Sequence, residues 1–173
     1  MSPIPSVGSR AARWWFDPTQ PPAGLPLGVP RVLIVSDAAN VRADVRSVLG
    51  GPAADVRELD SGAQVAGQVK AEPPDLLVLD LQIGNMGGMA TCLDLRLEES
   101  AGRLPHVPVL MLLDRRADVF LARRSAAEGW VVKPLDPIRL RVAIQAILGG
   151  GTYEDTSYQP SPILVGEEPG PVP

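Results

Sequence analysis

Five short runs of apolar residues punctuate the middle of the chain, and each is followed by a stretch with helical spacing. Arg31-Val-Leu-Ile-Val35 leads into residues 39–49, where Val41, Val45, Val48 and Leu49 recur at helical intervals. A strand buried on both faces is continuously apolar in this way, not alternating. Residues 54–59 predict a second, weaker strand, and 61–71 a second helix begun by Ser61 and ended before Pro73-Pro74. A third strand is predicted at 75–79, a third helix at 86–99, and a fourth strand at 107–113. A fourth helix at 115–127, a fifth strand at 129–132 and a fifth helix at 137–148 complete the series. Asn40 or Asp37 is expected to cap the first helix, and Gly50-Gly51-Pro52 to stop it.

Five strand–helix repeats imply an α/β fold, a parallel sheet doubly wound with helices on both faces. In such sheets ligands gather beyond the carboxyl ends of the strands. The residues there are therefore the candidates for chemistry. Strand one runs into Ser36-Asp37, strand three ends in Asp80, strand four in Leu113-Asp114, and strand five in Lys133-Pro134. Were strands one and three neighbours, Asp37 and Asp80 would converge, and two nearby carboxylates repel unless a cation or proton intervenes. A magnesium ion and Lys133, one of only two lysines in the chain, are natural counterions. An aspartate held this way can attack phosphorus and form an acyl phosphate, with the developing charge neutralised by the cations.

Composition limits the alternatives. The chain has 173 residues, 45% hydrophobic and 21% charged, an ordinary globular mixture. Twelve of its 19 prolines lie in residues 1–30 or 150–173. Residues 1–30 thus read as a Pro-rich extension with one aromatic knot, Trp14-Trp15-Phe16. Residues 31–149 read as the folded domain, and 150–173 as an acidic, Pro/Gly-rich flexible tail after the hinge Gly149-Gly150-Gly151. The formal net charge of −4 argues against a general nucleic-acid binder. No apolar run approaches a membrane span of about 20 residues, and the start lacks the apolar core of a signal peptide. The single Cys92 excludes an internal disulfide and favours a reducing, cytoplasmic setting. Cys92 is expected in the core and His106, flanked by prolines, on the surface.

The motifs Val32-Leu-Ile-Val-Ser-Asp37, Pro74-Asp-Leu-Leu-Val-Leu-Asp-Leu81, Met86-Gly-Gly88, Pro108-Val-Leu-Met111 and Gly129-Trp-Val-Val-Lys-Pro134, in that order, resemble the receiver domain of bacterial two-component response regulators. The resemblance covers about residues 31–149. It implies the flavodoxin-like five-stranded sheet with order 2-1-3-4-5, which is that family's known arrangement. It implies Asp80 as phosphoacceptor. Asp37, Asp80 and the backbone carbonyl of Gln82 would hold Mg2+, Lys133 would contact the phosphoryl group, and the Lys133–Pro134 peptide would be cis. A histidine kinase or phosphotransfer protein would be the donor.

Several positions depart from the family pattern. Ser36 replaces the first of two acids after strand one, which weakens metal binding without abolishing it, since Mg2+ commonly uses only one or two carboxylates. Leu113 replaces a hydroxyl residue, and a hydrogen bond to a charged group is worth about 1.5–3 kcal/mol. Asp114 replaces a small residue and adds a charge that repels an incoming phosphodonor. The loop after the phosphoacceptor also differs, reading Ile83-Gly84-Asn85-Met86-Gly87-Gly88.

The family pattern also places an output or dimer face on helix four, strand five and helix five. Here that face would comprise Trp130, Ile138, Val142 and Arg123, beside Val119 or Phe120 and Arg124, while Leu140, Ile144 and Ile147 face the sheet. The aromatic knot is the other candidate cover for these side chains.

The leading expectation is a single-domain receiver that signals by protein contact with an unidentified target, because the 24 residues after Gly149 are too few and too polar for a DNA-binding domain. The alternative is a receiver-like interaction module that works without phosphate. An enzyme of haloacid-dehalogenase type is the least favoured reading, because that chemistry wants an acid two residues after the nucleophile, where this chain has Gln82. The chain is thus not expected to be an enzyme, and neither nucleic acid nor membrane is expected as a partner.

Overall fold

The structure is a computed structural model and describes residues 28–157. Its strands are β1 (Arg31–Val35), β2 (Asp55–Leu59), β3 (Leu76–Asp80), β4 (Val109–Leu113), β5 (Gly129–Val132) and β6 (Tyr153–Glu154). Its helices are α1 (Ala39–Leu49), α2 (Val65–Ala71), α3 (Gly88–Ser100), α4 (Val119–Arg124) and α5 (Pro137–Leu148). The strands form one sheet in the order β2-β1-β3-β4-β5-β6, and every pairing is parallel.

The sheet is a sorting device. Alternate residues of each strand point to opposite faces, so an unbroken apolar run fills two layers at once. Leu33, Val35, Leu77, Leu79, Met111 and Leu113 pack with α2, α3 and α4, through Val65, Val69, Cys92, Leu95, Val119 and Ala122. Val32, Ile34, Val78, Leu110, Leu112 and Val131 pack with α1 and α5, through Val45, Val48, Leu140, Ala143, Ile144 and Ile147. All ten residues of β3 and β4 are buried. That is why these two strands carried the clearest apolar runs. The helix-five residues expected against the sheet, Leu140, Ile144 and Ile147, are there, and Cys92 is in the core.

Some boundaries differ from expectation. The second and fourth helices open as single tight turns, Gly62–Gln64 and Arg116–Asp118. The fourth helix stops at Arg124, and Ala126 beyond it takes φ 56°. Gly50, at φ 74°, ends α1, a left-handed conformation that glycine adopts without the cost of a Cβ. Neither Asn40 nor Asp37 caps that helix; its N-cap is Ala38, with no side-chain cap bond. Asp37 instead accepts the amide of Gly84 at 3.0 Å, and Ser36 Oγ accepts the amide of Ala38 at 3.2 Å.

The larger correction concerns the tail. The sheet has six strands where five were expected, and the segment expected to be flexible from residue 150 re-enters the fold. Tyr153–Glu154 pairs with β5, and Asp155 is buried at 1% exposure. The polar composition of the segment hid one inward-facing carboxylate whose bonds are all made. The knot Trp14-Trp15-Phe16 and residues 158–173 lie outside the described residues.

Candidate functional site at the carboxyl ends of the strands

Parallel pairing of β1 with β3, and of β4 with β5, brings the strand ends to one edge. Asp80 closes β3 and is 1% exposed. Ser36, the first residue past β1, is also buried and donates its hydroxyl to Asp80 Oδ2 at 2.8 Å. Lys133 follows β5 and reaches both carboxylate oxygens, Oδ1 at 2.8 Å and Oδ2 at 3.0 Å. The amide of Gln82 donates to Oδ1 at 3.2 Å. Both oxygens of the buried carboxylate therefore have hydrogen-bond partners within the protein, as a buried polar group requires.

Lys133 is shared. Its Nζ also lies 3.2 Å from Asp114 Oδ1. Burial alone would lower the pKa of this ammonium, but the hydrogen bonds and charges of Asp80, and then of Asp114, outweigh it and hold the pKa above the ordinary lysine value. The Lys133–Pro134 peptide is cis. Leu113 is completely buried and packs in the layer that contains Trp130, Val119 and Met111. No hydroxyl stands at that strand end.

The approach of α3 depends on glycine. A Cβ on Gly88 would fall 2.3 Å from the carbonyl oxygen of Asp80 and 2.8 Å from the Cα of Leu81. The Gly88 amide donates to the Leu81 carbonyl at 3.0 Å. Only a residue without a side chain lets the first turn of α3 lie against the Asp80 backbone.

The chain thus brings Ser36, Asp80, Gln82, Lys133 and Asp114 into one bonded group. Asp37 stands apart from it in its bonding, turned to Gly84. Asp37, Asp80 and the Gln82 carbonyl offer oxygen donors with two carboxylates, the number Mg2+ commonly takes from protein. By donor chemistry they fit that ion. Among the described residues no three of His, Cys, Asp or Glu converge as a metal group.

The expected output face divides. Ile138, Val142 and Phe120 are exposed, at 75%, 48% and 61%. Val119, the other candidate on helix four, is buried. Trp130, expected on that face, is buried at 3%, with the guanidinium of Arg123 5.2 Å from its ring centroid.

Sequence reading missed two charged clusters. Arg139, near the start of α5, donates to Asp155 Oδ2 at 2.6 Å and to the Pro134 carbonyl at 3.2 Å. Asp155 also accepts the amides of Val132 at 3.0 Å and Ser157 at 2.9 Å. At the opposite end of the sheet Arg96 donates to both oxygens of Glu128, at 3.0 and 2.8 Å, and to Glu99. His106 joins that cluster through Glu99 at 2.8 Å. The i,i+3 spacings of Arg96 with Glu99 and of Asp136 with Arg139 were local sequence signals, but neither points to Glu128 or Asp155.

A family model for the response regulator receiver domain matches residues 32–145. The DNA-binding response regulator MtrA of Mycolicibacterium paratuberculosis is 32% identical over 120 residues, covering 68% of this chain and 51% of that protein. The probable transcriptional regulator ycf27 of Porphyridium aerugineum is 29% identical over 120 residues, 68% of this chain and 48% of that protein. The chain spans about half the length of the curated relatives it matches. Among solved structures, a response regulator of Chloroflexus aurantiacus superposes with a TM-score of 0.63 at 26% identity, covering 70% of this chain and 98% of that one. The chemotaxis response regulator CheY4 of Vibrio cholerae, 22% identical, gives 0.60 over 68% of this chain and 98% of its own, a likeness of fold. Matched motifs, parallel topology and superposition agree: residues 32–145 make this chain a member of the response regulator receiver family, a signalling module of two-component systems.

Proposed function

We propose that this chain accepts a phosphoryl group on Asp80, from a histidine kinase or phosphotransfer protein, and passes the signal on by protein contact. The observation that carries the reading is the buried Asp80 carboxylate at the end of β3, clasped by Lys133 and Ser36. A carboxylate oxygen of Asp80 attacks the phosphorus. A bond from oxygen to phosphorus forms as the bond from phosphorus to the donor's imidazole nitrogen breaks, and the electron pair leaves with that nitrogen. Lys133 releases Asp80 to hold the phosphoryl oxygens, a charge-assisted contact for which its ammonium is already in place. Mg2+, held by Asp37, Asp80 and the Gln82 carbonyl, would supply further neutralisation of that charge.

Output through α4, β5 and α5 is part of this reading, as is a homodimer through the same face. Its support is the exposed apolar set Phe120, Ile138 and Val142 beside Arg123 and Arg124. The MtrA relatives are named as DNA-binding. Those names do not fit the expectation that this chain has no nucleic-acid partner, which rests on its net charge of −4 alone; a DNA-binding titration at low salt tests it. Among the described residues no helix is long and apolar enough to cross a membrane.

A second reading is favoured by one specific observation. Asp80 is already satisfied by Lys133, Ser36 and Gln82, and Leu113 offers nothing to a phosphoryl group. A module of this build can bind its partner without phosphate. Intact-mass measurement with Mg2+ and acetyl phosphate separates the two readings. Incorporation of one phosphate, abolished by Asp80→Asn, supports the first. No incorporation by the folded protein, with partner affinity unchanged by Asp80→Asn, supports the second.

A further inference from the structure

We propose that the outer edge of β5, between Arg123 and Arg139, is a docking strip for an extended acidic segment of a partner protein, held closed in cis by residues 153–157. This names the partner chemistry of the output face and rests on that reading. Its test involves no phosphate, so the two fail separately.

Four observations define the strip. The Tyr153 amide donates to the Glu128 carbonyl at 3.1 Å and the Asp155 amide to the Trp130 carbonyl at 3.2 Å. These are the alternate main-chain bonds by which an added strand reads a sheet edge. Charge fixes the register: Glu154 meets Arg123 at 3.0 Å and Asp155 meets Arg139 at 2.6 Å. Arg123 is itself placed by the Trp130 ring beneath it. The edge is cleared for close approach, because a Cβ on Gly129 would fall 2.5 Å from the Tyr153 carbonyl oxygen. Finally, the resident strand is short. It has two residues, and it leaves α5 through a glycine turn, with Gly150 at φ 80° and the Gly150 and Gly151 amides bonded back to Ile147 and Ala146.

An edge that accepts a two-residue strand by two arginines accepts a longer strand with the same acidic pair more tightly. The chain's own segment competes only through its tether. A partner with adjacent Glu and Asp in extended conformation therefore displaces it, and the β5 edge changes occupant without any change in the core.

The test uses a fluorescent peptide of residues 151–157 titrated into the full chain. The chain carrying Glu154→Gln and Asp155→Asn is expected to bind it at least about tenfold more tightly than the wild type, whose tethered strand competes at about millimolar effective concentration. A peptide carrying the same two neutral substitutions is expected not to bind. Adding Gly129→Val to the double variant is expected to abolish binding. In that double variant the Val132 amide is expected to lose hydrogen-exchange protection while Leu110 and Leu112 keep theirs. The single exposed substitution Glu154→Gln, which leaves Asp155 and the core intact, is expected to give intermediate peptide binding. Equal binding by wild type and the double variant, no binding by the double variant, binding retained after Gly129→Val is added, binding of the neutral peptide, or a Val132 amide still protected in the double variant would each overturn the proposal.

Discussion

Asp80 and Asp155 are the same side chain buried to the same extent, and each faces a cation at hydrogen-bond distance. Their surroundings differ in kind. Asp155 is gripped by rigid donors: the planar guanidinium of Arg139 and two backbone amides fixed by the chain path. Burial pushes its pKa up, but the Ser157 hydrogen bonds, the Val132 amide and the Arg139 charge outweigh burial and hold it below the ordinary carboxylate value. Asp80 is held by a flexible ammonium, a rotatable hydroxyl and one long amide contact. Its cation is already divided with Asp114. Arginine's fork fixes the geometry of whichever carboxylate it holds, and the lysine point charge suits a group that is modified in place. The contrast separates a carboxylate that holds shape from one arranged to react.

The largest expected effect breaks the fixed member of the pair. Arg139→Ala leaves Asp155 buried with only amide and hydroxyl partners, and is expected to lower stability by about 1.5–3 kcal/mol in urea unfolding, the scale of a hydrogen bond to a charge. Asp80→Ala is expected to cost less, about 1 kcal/mol or below, because Lys133 keeps Asp114 and reaches solvent. Equal losses for the two variants would break the comparison.

The smallest effect, silent near neutrality, sharpens it by pH. Asp155 has a folded pKa below its unfolded value, so its contribution is complete above about pH 3.9 and fades as pH falls further. Lys133 has a folded pKa above its unfolded value, so its contribution is complete below about pH 10.4 and fades as pH rises through the folded value. Following the Val132 amide and the Lys133 Nζ resonances across the two extremes checks this. Loss of the Asp155 contacts on the alkaline side would contradict it.

The two regions also differ in how far the sequence could reveal them. The strand cores were readable because burial on both faces demands unbroken apolar runs, as in Leu76–Leu79 and Val109–Leu113. Their order came from the family resemblance, since periodicity carries no pairing information. Asp80 and Lys133 were found because strand ends in a parallel sheet are where such groups gather. The sixth strand was missed because its two residues carry no periodic signal and their neighbourhood has the composition of a linker. Asp155 is decided by tertiary contacts with residues 16 and 23 positions away. Ser36 was readable as a missing charge, but its second role as a hydroxyl donor to Asp80 needed the geometry. Trp130 was placed on the output face by pattern, whereas the arginine above it and the strand beside it account for its burial.

Asp114 has a kinetic consequence. The mouth of the site sets Asp37, Asp80 and Asp114 against the single ammonium of Lys133, so its local field is negative although residues 31–149 are nearly neutral. A small anionic phosphodonor must climb that field, and salt, which shortens the Debye length to about 8 Å at physiological strength, flattens the climb. A donor protein with a basic rim descends it, and the same salt slows its arrival. The pocket therefore discriminates between donors by the sign of their ionic-strength dependence, before either one reaches the carboxylate.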